Sequence, residues 1–448
     1  MTPVPGLPAR RTRPLVPATR LLWLVGLALA AAIAASIEPA LLPIWSVLAG
    51  AIGVVALVDM LAALRAPAPA ARREVPNSLP LGVRHEVSLR FANPAARSTT
   101  LDVFDHHPPG FETAGLPHRV TLPARGWSEL RYDARPVERG VAHFGLVEVR
   151  IVSPLGLWLR TRYLGEECDV KVFPNFAALS GYALLATDNR LSQIGVLQRR
   201  RRGEGLEFHQ LREYREGDSP RQIDWKATAR ASKLVSREYQ DERDQQVLLV
   251  IDSGRRMGAR DGEISHFDHV LNAALLVAYV SLRQGDAVGL MTMGGEPRHL
   301  APRKSKATIS LILNRVFDLQ PSLAASDYHE AALEVMKRFR KRTLVVILSN
   351  MRDEDDDTLG PALRLLQRRH LVLFASLREN ILTRALAARV DTFDRALTHA
   401  AAAGYLGARE LAFKRIEKGG AVCLDVEPEN LPIALVNRYL DIKRSGRL

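Results

Sequence analysis

The hydrophobic pattern changes character three times along the chain. Residues 21–37 and 41–64 form two apolar runs, the first uncharged and the second carrying only Asp59 near its end. At 1.5 Å per residue, a run of about 20 residues crosses a hydrocarbon core of about 30 Å, so the pair predicts a transmembrane α-hairpin over 21–64. Trp23 and Trp45 fall near segment ends, where indoles favour the interface. A Pro-, Ala- and Arg-rich stretch then reads as a linker over 65–76. From there the period becomes two: Val87, Leu89 and Phe91 alternate with polar residues, as do Leu101 and Val103, Leu130 and Tyr132, and Val147, Val149 and Ile151. Residues 157–163 and 170–173 close the series, and Asn93-Pro94, Pro108-Pro109-Gly110 and Pro123 supply turns. This spacing predicts an antiparallel β-sandwich over 77–175.

From Gln246 the apolar runs become continuous: VLLVI before Asp252, AVGLMTM from Ala287, LVVIL from Leu344, LVLFA from Leu371 and AVCLDV from Ala421. Helical stretches alternate with them at 264–283, 306–317, 327–341, 358–369, about 396–418 and 430–443. Buried strands alternating with helices predict a doubly wound, mostly parallel α/β domain over 244–448. The fold class is therefore multi-domain: a transmembrane α-hairpin, a β-sandwich, then a doubly wound α/β domain.

Charge adds an orientation. Lys and Arg outnumber Asp and Glu by 62 to 49, a net +13 that points to an anionic membrane surface or to nucleic acid. Arg10, Arg11, Arg13 and Arg20 lie in the tail 1–20, and Arg65, Arg72 and Arg73 follow the second run, whereas the turn Glu38-Pro39-Ala40 has no basic residue. The positive-inside rule places both termini in the cytoplasm, with the lipid bilayer as the first partner. A second apolar span directly after the first argues against a cleaved signal peptide near Ala35. Cys168 and Cys423 lie too far apart for a zinc spacing or disulfide framework and read as small apolar core residues.

Residues 176–243 read as a basic connector. Arg199-Arg200-Arg201-Arg202, before Gly203 and Gly205, is a solvated loop, a contact for anionic headgroups or a phosphate contact. Next comes LREYREGDSPRQIDWKATAR over 211–230. Ser219 before Pro220 is a helix start, and Gln222 can complete a capping box. Tyr214, Asp218 after Gly217, Arg221, Asp224, Trp225 and Arg230 are expected to form a polar lattice around a buried indole. No base–nucleophile pair is evident there.

In doubly wound sheets ligands bind beyond the carboxyl ends of strands. Here those ends are Asp252-Ser253-Gly254-Arg255-Arg256 and Ser349-Asn350-Met351-Arg352-Asp353. The acidic run 353–357 reads as a solvated helix entry. The double span, Glu138-Arg139-Gly140, Ser153-Pro154-Leu155-Gly156-Leu157, the long motif ending in Trp225, and Ala229-Arg230 resemble the membrane-anchored bacterial family known as domain of unknown function 58. The resemblance covers nearly the whole chain. It implies a C-terminal domain similar to von Willebrand factor A, a fold that often carries Asp-x-Ser-x-Ser and later Thr and Asp ligands for Mg²⁺. The matching pattern is Asp252-x-Gly254-x-Arg256, with Asn350 after Ser349 in place of the later Asp. Gly254 lacks a side-chain oxygen and Arg256 brings positive charge, so a degenerate loop without cofactor is expected, with Arg256 pairing with Asp252 in the cation's place. The resemblance also implies a MoxR-type AAA+ ATPase partner.

Three function classes follow. A non-enzymatic, membrane-tethered interaction or assembly-factor protein fits the anchor and the absence of catalytic motifs. A metal-dependent hydrolase would use Asp252, without HExxH, GxSxG or a Walker loop to support it. A nucleic-acid or anionic-lipid binder would use Arg199–Arg202, but no aromatics interleave that run, and no specific nucleic acid is expected.

Overall fold

The computed structural model describes residues 15–175, 207–215, 220–240, 245–262, 264–305, 307–352 and 355–447, in two compact units divided after Phe173. Gly217, Asp218, Ser219, Asp353 and Arg199–Arg202 lie outside the described residues, as does the side chain of Arg221.

In the first unit, helices α1 (Thr19–Ile37) and α2 (Leu42–Arg65) are long and apolar enough to cross a membrane and are joined by a 3₁₀ turn, Pro39–Leu41. The Trp45 indole N–H donates to the Ala28 carbonyl at 3.0 Å and ties the pair. Their outer surface is largely exposed apolar side chains, the pattern that lipid rather than water accommodates.

Twelve short strands follow the same unit: β1 (Val16–Pro17), β2 (Ala70–Glu74), β3 (Ser78–Pro80), β4 (His85–Ala92), β5 (Thr99–Asp105), β6 (Phe111–Ala114), β7 (His118–Leu122), β8 (Trp127–Pro136), β9 (Gly140–Phe144), β10 (Val147–Val152), β11 (Trp158–Leu164) and β12 (Cys168–Phe173). They make sheets of order β1-β11-β10-β5-β7, β2-β4-β8-β6 and β3-β12-β9. Val87, Leu89 and Phe91 of β4, Leu101 and Val103 of β5, and Val147 and Val149 of β10 are buried, as period two requires. Ile151 is only half-buried.

Three expectations are corrected here. The stretch read as a linker contains β2, paired antiparallel with β4. Its inward positions are Ala71 and Arg73, so no large apolar residue marks the alternation, and the Arg73 guanidinium is neutralised by Asp105. The tail is not separate either, since Val16 and Pro17 pair with Leu159 and Trp158. Nor is the sandwich wholly antiparallel, because β3 runs parallel to β12.

In the second unit, strands β13 (Glu207–Glu213) and β14 (Val235–Gln240) form an antiparallel hairpin. Its connection holds a 3₁₀ turn, Pro220–Gln222, and helix α3 (Trp225–Ala231). The α/β part contains β15 (Gln246–Asp252), α4 (His266–Arg283), β16 (Ala287–Met293), β17 (His299–Arg303), α5 (Thr308–Val316), α6 (Tyr328–Arg338), β18 (Leu344–Ser349), α7 (Asp356–Gln367), β19 (Leu371–Leu377), α8 (Asn380–Ala387), α9 (Phe393–Lys418), β20 (Val422–Val426) and α10 (Leu431–Arg444). Strand order is β17-β16-β15-β18-β19-β20, with five strands parallel and β17 antiparallel at the edge.

Val247, Leu249 and Ile251 of β15 point into one core layer with α4, α5 and α10, while Leu248 and Val250 point into the other with α6, α7 and α9. Burial on both faces is why these strands read as unbroken apolar runs. The edge strand β17 escaped the pattern because it is short and contains Pro302, a residue tolerated only where one side of the ladder is unpaired. Opposite it, a Cβ on Gly289 would lie 2.8 Å from the Leu300 carbonyl oxygen, so β17 packs where only glycine fits. Helix α8 was likewise not anticipated. Helix α4 begins at a Ser265/Asp268 capping box.

Candidate functional site

The carboxyl end of β15 places Asp252 among hydroxyls, 2% exposed. Oδ1 accepts from the Gly254 amide at 2.8 Å and from the Ser326 hydroxyl, and Oδ2 accepts from Ser349 Oγ at 2.5 Å. Ser349 in turn receives the Tyr328 hydroxyl at 2.8 Å. Burial pushes the Asp252 carboxyl up, opposed by hydrogen bonds from Ser326, Ser349 and Gly254 and by the charge of Arg256. Burial and the same carboxylate also push the Tyr328 phenol up.

The expected Arg256–Asp252 ion pair is replaced by another. Arg256 Nη1 bridges to Asp355, which also accepts from the Arg352 amide at 2.9 Å. The hydroxyls and the Gly254 amide already satisfy Asp252, so Arg256 acts on it only through space. Asp355 is therefore a nearly buried ion-pair partner and not part of a solvated helix entry. Asn350 faces away from Asp252, donating to Glu379 at 3.2 Å and lying 3.5 Å from His266 Nδ1. His266 Nε2 meets Asp261 at 3.1 Å.

Sequence reasoning missed two residues. Ser326 lies 74 positions from Asp252 and reaches it only because the loop before α6 folds over β15. A Cβ on Gly254 or Gly294 would collide with its hydroxyl, so both glycines make room for it. Arg409 of α9, 2% exposed, donates to Ser376 Oγ at 2.7 Å, the Leu377 carbonyl at 2.6 Å, Asp425 at 2.9 Å and the Met351 carbonyl. It ties β19, β20 and the loop after β18 into one rigid platform edge. A charged residue on the stripe Ala402, Ala412 and Ile416 was the available signal.

The connector motif does not enclose its indole. Trp225 is 68% exposed. Asp224, not Ser219, caps the described helix: Oδ1 accepts from the Ala227 amide at 3.0 Å while Oδ2 takes Arg237 Nε at 2.8 Å. The amide and then Arg237 hold its carboxyl below the usual range. Ile223 bridges to Ser236 and the Tyr214 amide donates to the Leu234 carbonyl at 2.9 Å, so backbone pairing carries the motif. A helix of seven residues offers too little surface to cover an indole. Arg230 and Lys226 are exposed beside it.

The hairpin, the motif and the loops of β15 and β18 fall in one stretch, and that stretch is matched. Residues 210–384 match the family described as Protein of unknown function DUF58. A Bacillus subtilis relative, "Uncharacterized protein YeaD", is 26% identical over 175 residues, covering 37% of this chain and 39% of the relative. "Uncharacterized protein Rv1480" of Mycobacterium tuberculosis is 25% identical over 179 residues, covering 38% and 54%. The chain thus spans roughly two fifths to one half of the curated relatives it matches. Among solved structures, the native conformation of Escherichia coli alpha-2-macroglobulin is similar at a TM-score of 0.20 and 16% identity, over 23% of this chain and 6% of that one. A likeness that small carries no inference about role.

Outside the DUF58 stretch, a second buried carboxylate holds the first unit together. Asp59 of α2 is 1% exposed and accepts from Ser153 Oγ at 2.5 Å and from the amides of Leu155 at 2.9 Å and Leu157 at 3.3 Å. Asp59 stands near the end of its apolar run, and the Ser153–Leu157 turn encloses it there. Trp158 Nε1 donates to the Ala56 carbonyl at 2.9 Å, and Arg160 Nη1 reaches the terminal carbonyls of Ala63 at 2.7 Å and Leu64 at 3.1 Å. These fill acceptors that a helix end leaves open. The Ala18 amide donates to the Leu157 carbonyl at 2.8 Å, so the start of α1 is held by the same segment.

Cys423 is buried and its thiol is pushed up to about 12 by burial, which fits an inert core residue. Cys168 is half-buried, 3.6 Å from Arg73 Nη1.

Proposed function

We propose that this protein is a non-enzymatic, membrane-tethered interaction or assembly factor that presents a degenerate von Willebrand A-like platform to a cytoplasmic partner, a MoxR-type AAA+ ATPase. The observation that carries the reading is the closure of Asp252. Its two oxygens are engaged by Ser326, Ser349 and the Gly254 amide, with the Arg256 guanidinium nearby, which does not fit an octahedral Mg²⁺ centre. Among the described residues, no group of three or more His, Cys, Asp or Glu is arranged to hold a metal ion. A sheet end that satisfies itself internally is suited to holding loop shape, and loops on a rigid scaffold are where recognition concentrates.

The exposed Trp225, with Lys226 and Arg230, supplies a docking anchor of the kind that dominates interfaces. In this reading the hairpin spans the inner membrane with both ends inside. The tether then raises the platform's local concentration at the bilayer.

Affinity purification of the full-length protein from membranes tests the reading. An AAA+ ATPase is expected with the wild type and lost with Trp225→Ala and Arg230→Ala. Recovery of the same background with all three removes the proposal. Titration calorimetry with MgCl₂ is expected to give no heat above dilution; saturable micromolar binding lost in Asp252→Ala favours the hydrolase reading.

A further inference from the structure

Helix α9 has two faces with the same spacing. The inner one, Ala402, Arg409, Ala412 and Ile416, is buried against the sheet. The outer one runs Phe393, Leu397, Ala400, Gly404, Gly407, Leu411, with steps of four, three, four, three and four, and every position on it is exposed. Phe393, Leu397 and Leu411 are 76%, 54% and 57% exposed. A step of 3.5 residues is the period of helices that pack along one another, with these residues as d and a positions. The seam is about 27 Å long.

Among the described residues, nothing accounts for the two glycines. A Cβ at Gly404 or Gly407 meets nothing within 4 Å. Glycine inside a helix costs stability relative to alanine, and neither glycine relieves a contact among the described residues. They lower the surface where another helix would lie.

We propose that this seam is a self-association surface, on which α9 packs antiparallel against α9 of a second copy about a two-fold axis near Ala402. In that register every a position faces a d position. Phe393 meets Leu411, Leu397 enters the gap over Gly407, and Ala400 lies on Gly404. Leu397 thus fills a gap left by glycine on each side of the axis, the small Ala400 and Gly404 let the helices approach at the centre, and Phe393 with Leu411 closes each end. The flanking e positions carry the charge test: Asp394 faces Arg415 at one end and, by symmetry, Arg415 faces Asp394 at the other, while Ala401 faces Ala408 between them. Such a surface is self-complementary in shape and sign, which an isologous contact requires. A parallel pair in register would instead stack Phe393 on Phe393 and leave Gly407 opposite Gly407. One short seam suits association at the concentrations of tethered molecules rather than in dilute solution.

The test uses the full-length protein in native membranes with Cys168→Ser and Cys423→Ser. Ala403→Cys lies next to its own symmetry mate and is expected to form a disulfide-linked dimer under mild oxidation. Phe393→Cys alone is expected not to, but to cross-link when mixed with Leu411→Cys. Adding Gly407→Leu fills the gap opposite Leu397 and should reduce the Ala403→Cys dimer by about tenfold or more. Gly407→Ala is the folding control, since it raises helix propensity. Asp394→Arg and Arg415→Asp should each weaken the dimer and together restore it. Cross-linking through Phe393→Cys alone, no dimer at Ala403→Cys, or a dimer indifferent to Gly407→Leu overturns the proposal.

Discussion

Replacing Asp59 by alanine removes the acceptor for three donors in the Ser153–Leu157 turn while leaving the apolar surface of α2 almost unchanged. Ser153 Oγ keeps one partner, since it also accepts the Trp158 amide at 2.9 Å. The amides of Leu155 and Leu157 are left facing a helix wall. A buried donor deprived of its partner costs about 1–3 kcal/mol, with the upper end for bonds to a charged group. Two amides and one partly compensated hydroxyl therefore give about 3–5 kcal/mol against the docked turn. At about 1.4 kcal/mol per factor of ten, local opening should rise between a hundredfold and several thousandfold. The assay is hydrogen exchange of the full-length protein in nanodiscs, read on peptides spanning residues 153–160. Asp59→Asn retains one acceptor and should fall between. Exchange in that segment rising by less than about tenfold in Asp59→Ala, with the sandwich intact, would refute the reasoning.

Arg409→Met removes the buried partner of Asp425 and takes one donor from each of the carbonyls of Met351 and Leu377. It should lower C-terminal stability by about 3–5 kcal/mol in a denaturant titration, and adding Asp425→Asn should recover part of this. Trp225→Ala should change stability by no more than about 0.5 kcal/mol because the indole is exposed, even where partner recovery collapses. Burial holds His269 and His370 below the ordinary imidazole range, so the unfolded chain takes up protons first as pH falls. Their contribution is present above about pH 6.5 and lost as pH falls through the folded values. Thermal scans of His269→Gln with His370→Asn should therefore depend less on pH between 7.5 and 5 than wild type. Asp252 works in the opposite sense: its raised carboxyl contributes below its unfolded value and the contribution fades as pH rises.

What the sequence revealed depended on whether the force at work was local. The five parallel strands were legible because burial on both faces leaves an unbroken apolar run, as in LVVIL before Ser349. Most of α9 was legible from its period. Strand β2 was not, because Arg73 occupies an inward position and only Asp105, 32 residues later, makes that tolerable. Ser326 and Asp59 were hidden for the same reason: their partners come from distant loops. For Trp225 residue type misled, since indoles are usually covered, whereas here the local helix is too short.

The clamp on the hairpin has a mechanical meaning. The Leu157–Arg160 segment holds the first turn of α1 and the last turn of α2 at once. Two helix ends gripped by one segment leave no free joint between hairpin and sandwich, so the pair turns as a single body. A pull on the sandwich reaches the helices as a change of tilt rather than being lost in slack chain.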